Sequence, residues 1–152
     1  MTGTGGEAPD STGPPDRQTI RLLERHCSSD SLVSGVEFDP DPHEPRRLGV
    51  TLDTARYPDS IVRARVDIQW FATDDFSFHY VESHADDTRW DCRWDRHPNP
   101  DNSRLHFHQP PDSAAVSDLH LQSTHPLDVY STVFEAIQQR LETLWERDRK
   151  DR

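Results

Sequence analysis

The chain has 152 residues, of which 28 are Asp or Glu and 17 are Lys or Arg, so its formal net charge is -11. Its only lysine is Lys150, and an Asp-rich surface with Arg as the cation is typical of proteins from salt-loving microbes, in which acidity maintains solubility. Such acidity ordinarily argues against nucleic acid as a partner. At roughly 1 M salt, however, the Debye length is only about 3 Å, so the net charge does not exclude RNA.

The sequence shows no pattern of membrane insertion or export. No apolar run approaches the roughly 20 residues that a membrane span needs, and the N-terminus lacks the basic and then apolar pattern of a secretory signal. We therefore expect a cytoplasmic protein with no membrane partner. Cys27 and Cys92 are the only cysteines, too few for a disulfide framework, and we expect both to be reduced.

The composition predicts a short tail followed by one domain. Residues 1–15 are mostly Gly, Thr, Ser and Pro, with almost nothing to bury, which predicts a disordered tail. Residues 16–148 are long enough for a single domain with its own core. Asp16 can cap a short helix that ends near Cys27, and strands are expected over residues 31–38 and 47–54. The prolines of residues 39–45 predict a loop between those strands.

The later strands are predicted from apolar residues that alternate with polar ones. These apolar positions are Val62, Ala64, Val66, Ile68 and Trp70; Phe76, Phe78 and Tyr80; Trp90, Cys92 and Trp94; Leu105 and Phe107; and Leu119 and Leu121 of a strand over residues 113–123. Short turns at residues 73–75 and 85–87 connect consecutive strands. The expected sheet is therefore an antiparallel meander with one apolar face.

A long C-terminal helix is predicted to cover that apolar face. Pro126 suits a first helical position, and an apolar stripe then continues to about Arg147 at helical spacing. The helix would be about 30 Å long, enough to cross the sheet. We predict an α+β fold: an antiparallel meander sheet of about five to seven strands, with a short N-terminal helix and a long C-terminal helix packed on one face.

The opposite face of the predicted sheet is rich in Arg and His. It collects Arg63, Arg65, His79, Asp91, Arg93, Asp95, His106, His108, Asp118 and His120. Guanidinium groups bind phosphate, and imidazoles exchange protons near neutral pH. Cleavage of RNA without a metal needs a base, an acid and a cation that stabilises the phosphorane.

These requirements assign hypothetical roles on the polar face. The predicted catalytic residues are His106 and His108 as acid and base, Arg93 as the cation, and Asp95 as the carboxylate that orients them. The predicted substrate-binding residues are Arg63, Arg65, His79 and His120. This metal-independent ribonuclease hypothesis requires no cofactor.

Other interpretations of the same residues stay open. The face can be an ordinary solvated surface or a non-catalytic site for a protein partner. His106 and His108 can instead bind a metal, completed by His97 or Asp95, although no CxxC or HExxH motif accompanies them. The indoles of Trp90 and Trp94 could stack on bases, but core packing is the favoured role because they alternate in phase with Cys92.

The segment from Arg93 to His108 also resembles a known family. Arg93-Trp94-Asp95, a loop containing Pro98, and His106-x-His108 are similar to the signature of the TumE-type toxins of small toxin-antitoxin modules. The similarity extends over about residues 57–137. This sequence departs from the signature at four positions, namely Arg96, Asn99, Pro100 and Leu105.

The resemblance implies a growth-inhibiting protein, with action on RNA as one hypothesis and a helix-turn-helix antitoxin as the implied partner. The alternative functions are a non-catalytic protein-binding module of a halophilic microbe and a metal-binding domain built on histidine.

Overall fold

A computed structural model describes residues 13–97 and 104–152. Within them, seven strands form one antiparallel sheet in which each strand pairs with the next along the chain. The strands are β1 (Val33–Asp39), β2 (Arg47–Leu52), β3 (Ile61–Trp70), β4 (Phe76–His84), β5 (Arg89–Arg96), β6 (Leu105–His108) and β7 (Val116–Asp118). Helices α1 (Arg17–Cys27) and α2 (Pro126–Lys150) bury their apolar residues in one core with the sheet. The predicted α+β meander is confirmed.

Both helices begin as the sequence indicates. Asp16 caps α1, since its Oδ1 accepts a hydrogen bond from the Thr19 backbone amide at 3.1 Å. Pro126 is the first residue of α2, where a missing amide hydrogen leaves no helical bond unmade. The buried residues of α2 recur at helical spacing and are Val129, Tyr130, Val133, Phe134, Ile137, Leu141 and Leu144. None of the helices in the described ranges has the length and apolar character needed to cross a membrane.

The segment predicted as a tail lies partly outside the described residues, which begin at residue 13. The end of this segment and the residue after it bond to the sheet and its turn: the Pro14 carbonyl accepts from the Ala72 amide at 2.8 Å, and the Asp16 amide donates to the Trp70 carbonyl at 2.9 Å. These bonds attach the start of α1 to the turn between β3 and β4. The division into a tail of residues 1–15 and a domain of residues 16–148 stays a prediction.

The prediction that Val62 points into the core is wrong. Val62 is 57% exposed, whereas its neighbour Ile61 is buried. The pairing of β3 with β4 shifts register between Ile61 and Arg63, and an extra residue in one strand reverses the alternation of faces beyond it. The predicted alternation therefore holds only from Ala64 onward.

The last strand is also shorter than predicted. The sequence indicated a strand over residues 113–123, but β7 contains only Val116–Asp118. Its partner β6 has four residues, so little ladder is available for pairing. A turn occupies the preceding segment, in which the Gln109 amide donates to the Ala115 carbonyl at 2.7 Å. His120 therefore lies beyond the sheet.

Candidate active site on the open face of the sheet

Three side chains form a row across the centre of the face opposite the helices. The strand register places His79 of β4 opposite Arg93 of β5, and Arg93 opposite His108 of β6. Directly opposed residues of antiparallel strands point to the same side of the sheet. The Arg93 guanidinium therefore originates between two imidazoles, on strands that lie about 4.8 Å apart.

Asp95 holds one end of this row. Its Oδ2 lies 2.8 Å from His108 Nε2 and 3.1 Å from Arg93 Nε. Arg93 Nη2 also lies 3.1 Å from His108 Nε2. An ionised carboxylate only accepts hydrogen bonds, so it favours a proton on His108 Nε2.

The pKa of His108 reflects its position beside this carboxylate. Burial lowers the pKa of His108 below its ordinary value, and the positive charge of Arg93 acts in the same direction. The Asp95 charge and a hydrogen bond to the Ser113 backbone oppose the shift without reversing it. The neutral imidazole, which can accept a proton, is thereby favoured near neutral pH.

Asp91 holds the other end of the row. Its Oδ2 lies 2.7 Å from His79 Nε2 and accepts a second hydrogen bond from Ser113 Oγ at 2.7 Å. Burial alone would raise the pKa of Asp91, but these two hydrogen bonds and the Arg89 charge lower it below its ordinary value. Each imidazole of the row is thus oriented by its own carboxylate.

The second oxygen of Asp95 faces a different pair of imidazoles. Asp95 Oδ1 lies 3.7 Å from His106 Nδ1 and 3.8 Å from His97 Nε2. The rings of His97 and His106 have centroids 5.0 Å apart. His106 is 6% exposed and lies two residues from His108 on the same face of β6, so it is beside the row rather than in it. Ligand atoms of Asp95, His97 and His106 all lie within 4.8 Å of one another.

The structure brings together only part of the predicted substrate-binding set. His79 lies in the central row, and Arg65 is on the same face but forms an ion pair with Asp67 at 3.2 Å. Arg63 is exposed. It lies four residues along β3 from Asp67, which pairs with His79 of the row, so the two backbones are roughly 13 Å apart at strand spacing. His120 instead lines a cleft beside α2.

Sequence reasoning missed a charged network on the core side of the sheet. Glu82 is fully buried and accepts two hydrogen bonds from the Arg140 guanidinium, at 2.8 and 2.9 Å. Tyr80 donates its hydroxyl hydrogen to Glu82 Oε2 at 2.6 Å, and the Arg140 guanidinium lies 3.7 Å from the centre of a Trp90 ring. The signal was present, because Glu82 continues the inward alternation of Phe76, Phe78 and Tyr80.

This geometry can be set beside known proteins. A family model described as Toxin TumE matches residues 19–141, which is more than half of the 152-residue chain. The chain belongs to the TumE toxin family. No curated protein and no solved structure gives a significant match.

The TumE match is wider than the resemblance seen in the sequence, which extended over about residues 57–137. It begins in α1 and ends in α2, so it includes the whole sheet and the row of His79, Arg93 and His108. Membership of the TumE family gives the chain a toxin-like role and implies an antitoxin as its partner.

The TumE signature residues divide between the two faces of the sheet. Arg93, Asp95 and His108 lie together on the open face, whereas Trp94 packs against Phe107 on the core face, with ring centroids 5.3 Å apart. The core role expected for the indole of Trp94 is confirmed, since it is 6% exposed. Pro98, Asn99 and Pro100 of the signature loop lie outside the described residues.

Proposed function

We propose that this TumE-family toxin inhibits growth by cleaving RNA at the open face of its sheet. The observation that carries the proposal is the central row, in which the strand register sets an arginine between two histidines and each imidazole is paired with a carboxylate. His79 is 2.7 Å from Asp91, and His108 is 2.8 Å from Asp95. This is the set of groups that metal-independent phosphodiester cleavage requires.

In the proposed reaction, His108 accepts the proton of a ribose 2′-hydroxyl. The 2′-oxygen forms a bond to phosphorus while the bond from phosphorus to the 5′-oxygen breaks. His79 donates a proton to that leaving oxygen. The products are a 2′,3′-cyclic phosphate and a free 5′-hydroxyl. Arg93 stabilises the negative charge that accumulates on the phosphorane oxygens.

The acid and base roles were predicted from the sequence for His106 and His108. The proposal moves one of them to His79 because His79 shares the row with Arg93, whereas His106 is 6% exposed and faces Asp95. A phosphate bound to Arg93 would lie between His79 and His108. Asp95 keeps its predicted role as the orienting carboxylate.

RNA would bind along the open face through its arginines. Arg63, Arg65 and Arg89 lie on the same face as Arg93, along β3 and β5. Guanidinium groups bind phosphate oxygens through paired hydrogen bonds. The chain carries a net charge of -11, so binding to these local cations would depend on salt that screens the acidic remainder of the surface.

The proposal is tested with His79→Gln and His108→Gln in the full chain. A glutamine amide can still donate a hydrogen bond to Asp91 or Asp95, but it cannot exchange a proton at neutral pH. Cleavage of an end-labelled RNA that contains every dinucleotide step should slow by roughly 100-fold or more in each variant. Arg93→Met should lose a comparable factor. His120→Ala is the matched control and should cleave normally.

Two further readouts make the chemistry specific. The cleaved RNA should carry a 2′,3′-cyclic phosphate, and an oligonucleotide with 2′-deoxyribose at every position should stay intact. Expression of the native chain without its antitoxin should slow growth, and the variants that lose cleavage should relieve the inhibition. Intact RNA in the presence of folded native protein, or full cleavage by His108→Gln, would refute the proposal.

The same proposal extends to the partner. We propose a helix-turn-helix antitoxin that neutralises the toxin by covering the open face. Copurified antitoxin should then protect Arg63 and Arg89, which are exposed, from modification by an arginine-specific reagent. Unchanged modification of both residues in the complex would place the antitoxin elsewhere.

A further inference from the structure

We propose that Asp95, His97 and His106 form a binding site for a divalent transition-metal ion of the zinc type, beside the row that we assign to RNA cleavage and linked to it through Asp95. Their ligand atoms lie within 4.8 Å of one another. Carboxylate oxygen and imidazole nitrogen are common zinc ligands, and three protein ligands leave one coordination position open. Two of the three ligands are imidazoles, which do not suit Mg²⁺ or Ca²⁺, because these ions select oxygen ligands.

A second observation points to an ion at this place. Among the described residues, the buried Asp95 Oδ1 has no hydrogen-bond partner, although Asp95 is only 5% exposed. The other oxygen of the same carboxylate has short contacts with Arg93 and His108. A buried carboxylate oxygen without a hydrogen bond is costly, and a cation between it and two imidazoles would remove that cost.

The distances fit an ion after small movements. Ligands at about 2.1 Å from a tetrahedral zinc lie roughly 3.4 Å from each other. Asp95 Oδ1 is 3.7 Å from His106 Nδ1 and 3.8 Å from His97 Nε2, so these two pairs need to close by a few tenths of an ångström. The ligand nitrogens of the two imidazoles lie within 4.8 Å of each other. His97 can supply the larger movement, because its side chain is 43% exposed whereas those of Asp95 and His106 are 6% and 8% exposed.

The position of the ligands indicates what the ion would do. Asp95 and His97 lie at the end of β5, and His106 lies on β6. An ion would therefore join the two strands where the loop between them begins. It would also fix the Asp95 carboxylate that contacts His108, in the way that outer groups orient the ligands of known metal sites.

His108 is not part of this ligand set. Its Nε2 contacts the other oxygen of Asp95, at 2.8 Å. The metal site inferred here therefore differs from a site built on the adjacent pair His106 and His108. His108→Gln keeps a hydrogen-bond donor for that oxygen of Asp95, so it should weaken zinc binding less than His97→Ala does.

The test is zinc binding by the full chain, purified without a histidine tag and dialysed against a weak chelator. Elemental analysis should find one zinc ion per chain, and added zinc should raise the midpoint of thermal unfolding. Cobalt in place of zinc should give the visible absorption of a tetrahedral ion. His97→Ala should weaken zinc binding at least tenfold. The exposed position of His97 favours a folded variant, and circular dichroism checks that it is folded.

His120→Ala is the matched control, because it removes an exposed histidine outside the cluster. Zinc content near zero in folded native protein, or equal zinc affinity in native protein and His97→Ala, would overturn the inference. None of these measurements uses RNA, so the inference and the proposed function can fail separately. Zinc bound without RNA cleavage would count against the proposed function alone.

Discussion

Replacement of Arg140 by Met should destabilise the fold more than the loss of any surface ion pair. Arg140 donates two hydrogen bonds to Glu82, whose side chain is fully buried. Methionine keeps the helical propensity and much of the length of arginine, so the substitution removes mainly the charge and the hydrogen bonds of the guanidinium. It leaves a carboxylate on the core side of β4 without its cation.

The expected cost follows from what remains around Glu82. Removal of one partner from a buried ion pair typically costs about 3–5 kcal/mol. Tyr80 still donates to Glu82 at 2.6 Å, and His84 Nε2 remains 3.0 Å from it, which favours the lower end of that range. The lost contact between the guanidinium and Trp90 adds about 0.5–2 kcal/mol. We therefore expect a loss of about 3–5 kcal/mol in the free energy of unfolding.

A double-mutant cycle checks the reasoning. Glu82→Gln together with Arg140→Met removes both charges and should be at least 1 kcal/mol more stable than the sum of the single effects predicts. Arg65→Met is the control, because Arg65 and Asp67 form an ion pair whose side chains are 39% and 31% exposed; its cost should stay below about 1 kcal/mol. The free energies come from urea unfolding followed by tryptophan fluorescence.

Two outcomes would contradict this account of Glu82. Arg140→Met could prove no more costly than Arg65→Met, which would mean that water reaches the carboxylate in solution. Alternatively, the two single effects could add without coupling, which would mean that Arg140 stabilises α2 by packing rather than by its charge.

Three further predictions concern Asp91, the two cysteines and the cap of α1. The folded-state pKa of Asp91 is lowered, so its charge stabilises the fold above the unfolded pKa of about 3.9. Urea titrations at a series of pH values compare the native protein with Asp91→Asn. The stability advantage of the native protein should be constant near pH 6 and shrink as the pH falls below about 4. Burial raises the pKa of Cys27 and of Cys92 to about 12, so neither thiol should react with iodoacetamide at pH 8 until urea unfolds the chain, as mass spectrometry would show. Asp16→Ala removes the α1 cap and should cost about 1 kcal/mol in the same unfolding assay; a loss below about 0.3 kcal/mol would contradict the capping role.

The departures from the TumE signature now have a structural context. Leu105 precedes the His-x-His pair on β6 and is half-buried against the core. Arg96 contacts the end of the β3–β4 turn, since its Nη1 donates to the Asp74 carbonyl at 2.9 Å. Neither residue belongs to the row of His79, Arg93 and His108, so these two departures leave the proposed chemistry intact. The proposal is therefore compatible with a diverged but active toxin.

Local patterns in the sequence were sufficient for most elements of the fold. Alternation of apolar residues predicted β3 beyond its bulge, β4 and β5, and the cap at Asp16 predicted the start of α1. These signals are local because strand and helix periodicity depend on residues a few positions apart. The bulge that exposes Val62 was not predictable in this way, since it depends on how β3 pairs with β4.

The sequence by itself determined that Arg93, Asp95, His106 and His108 would share the face opposite the tryptophans, because alternation alone assigns faces along a strand. Only the tertiary structure decided which of them meet. Strand register brings His79 beside Arg93 and places His106 opposite Asp95, where both side chains are buried. The physical reason is that register and side-chain burial depend on pairing between strands far apart in the chain, which no local pattern encodes.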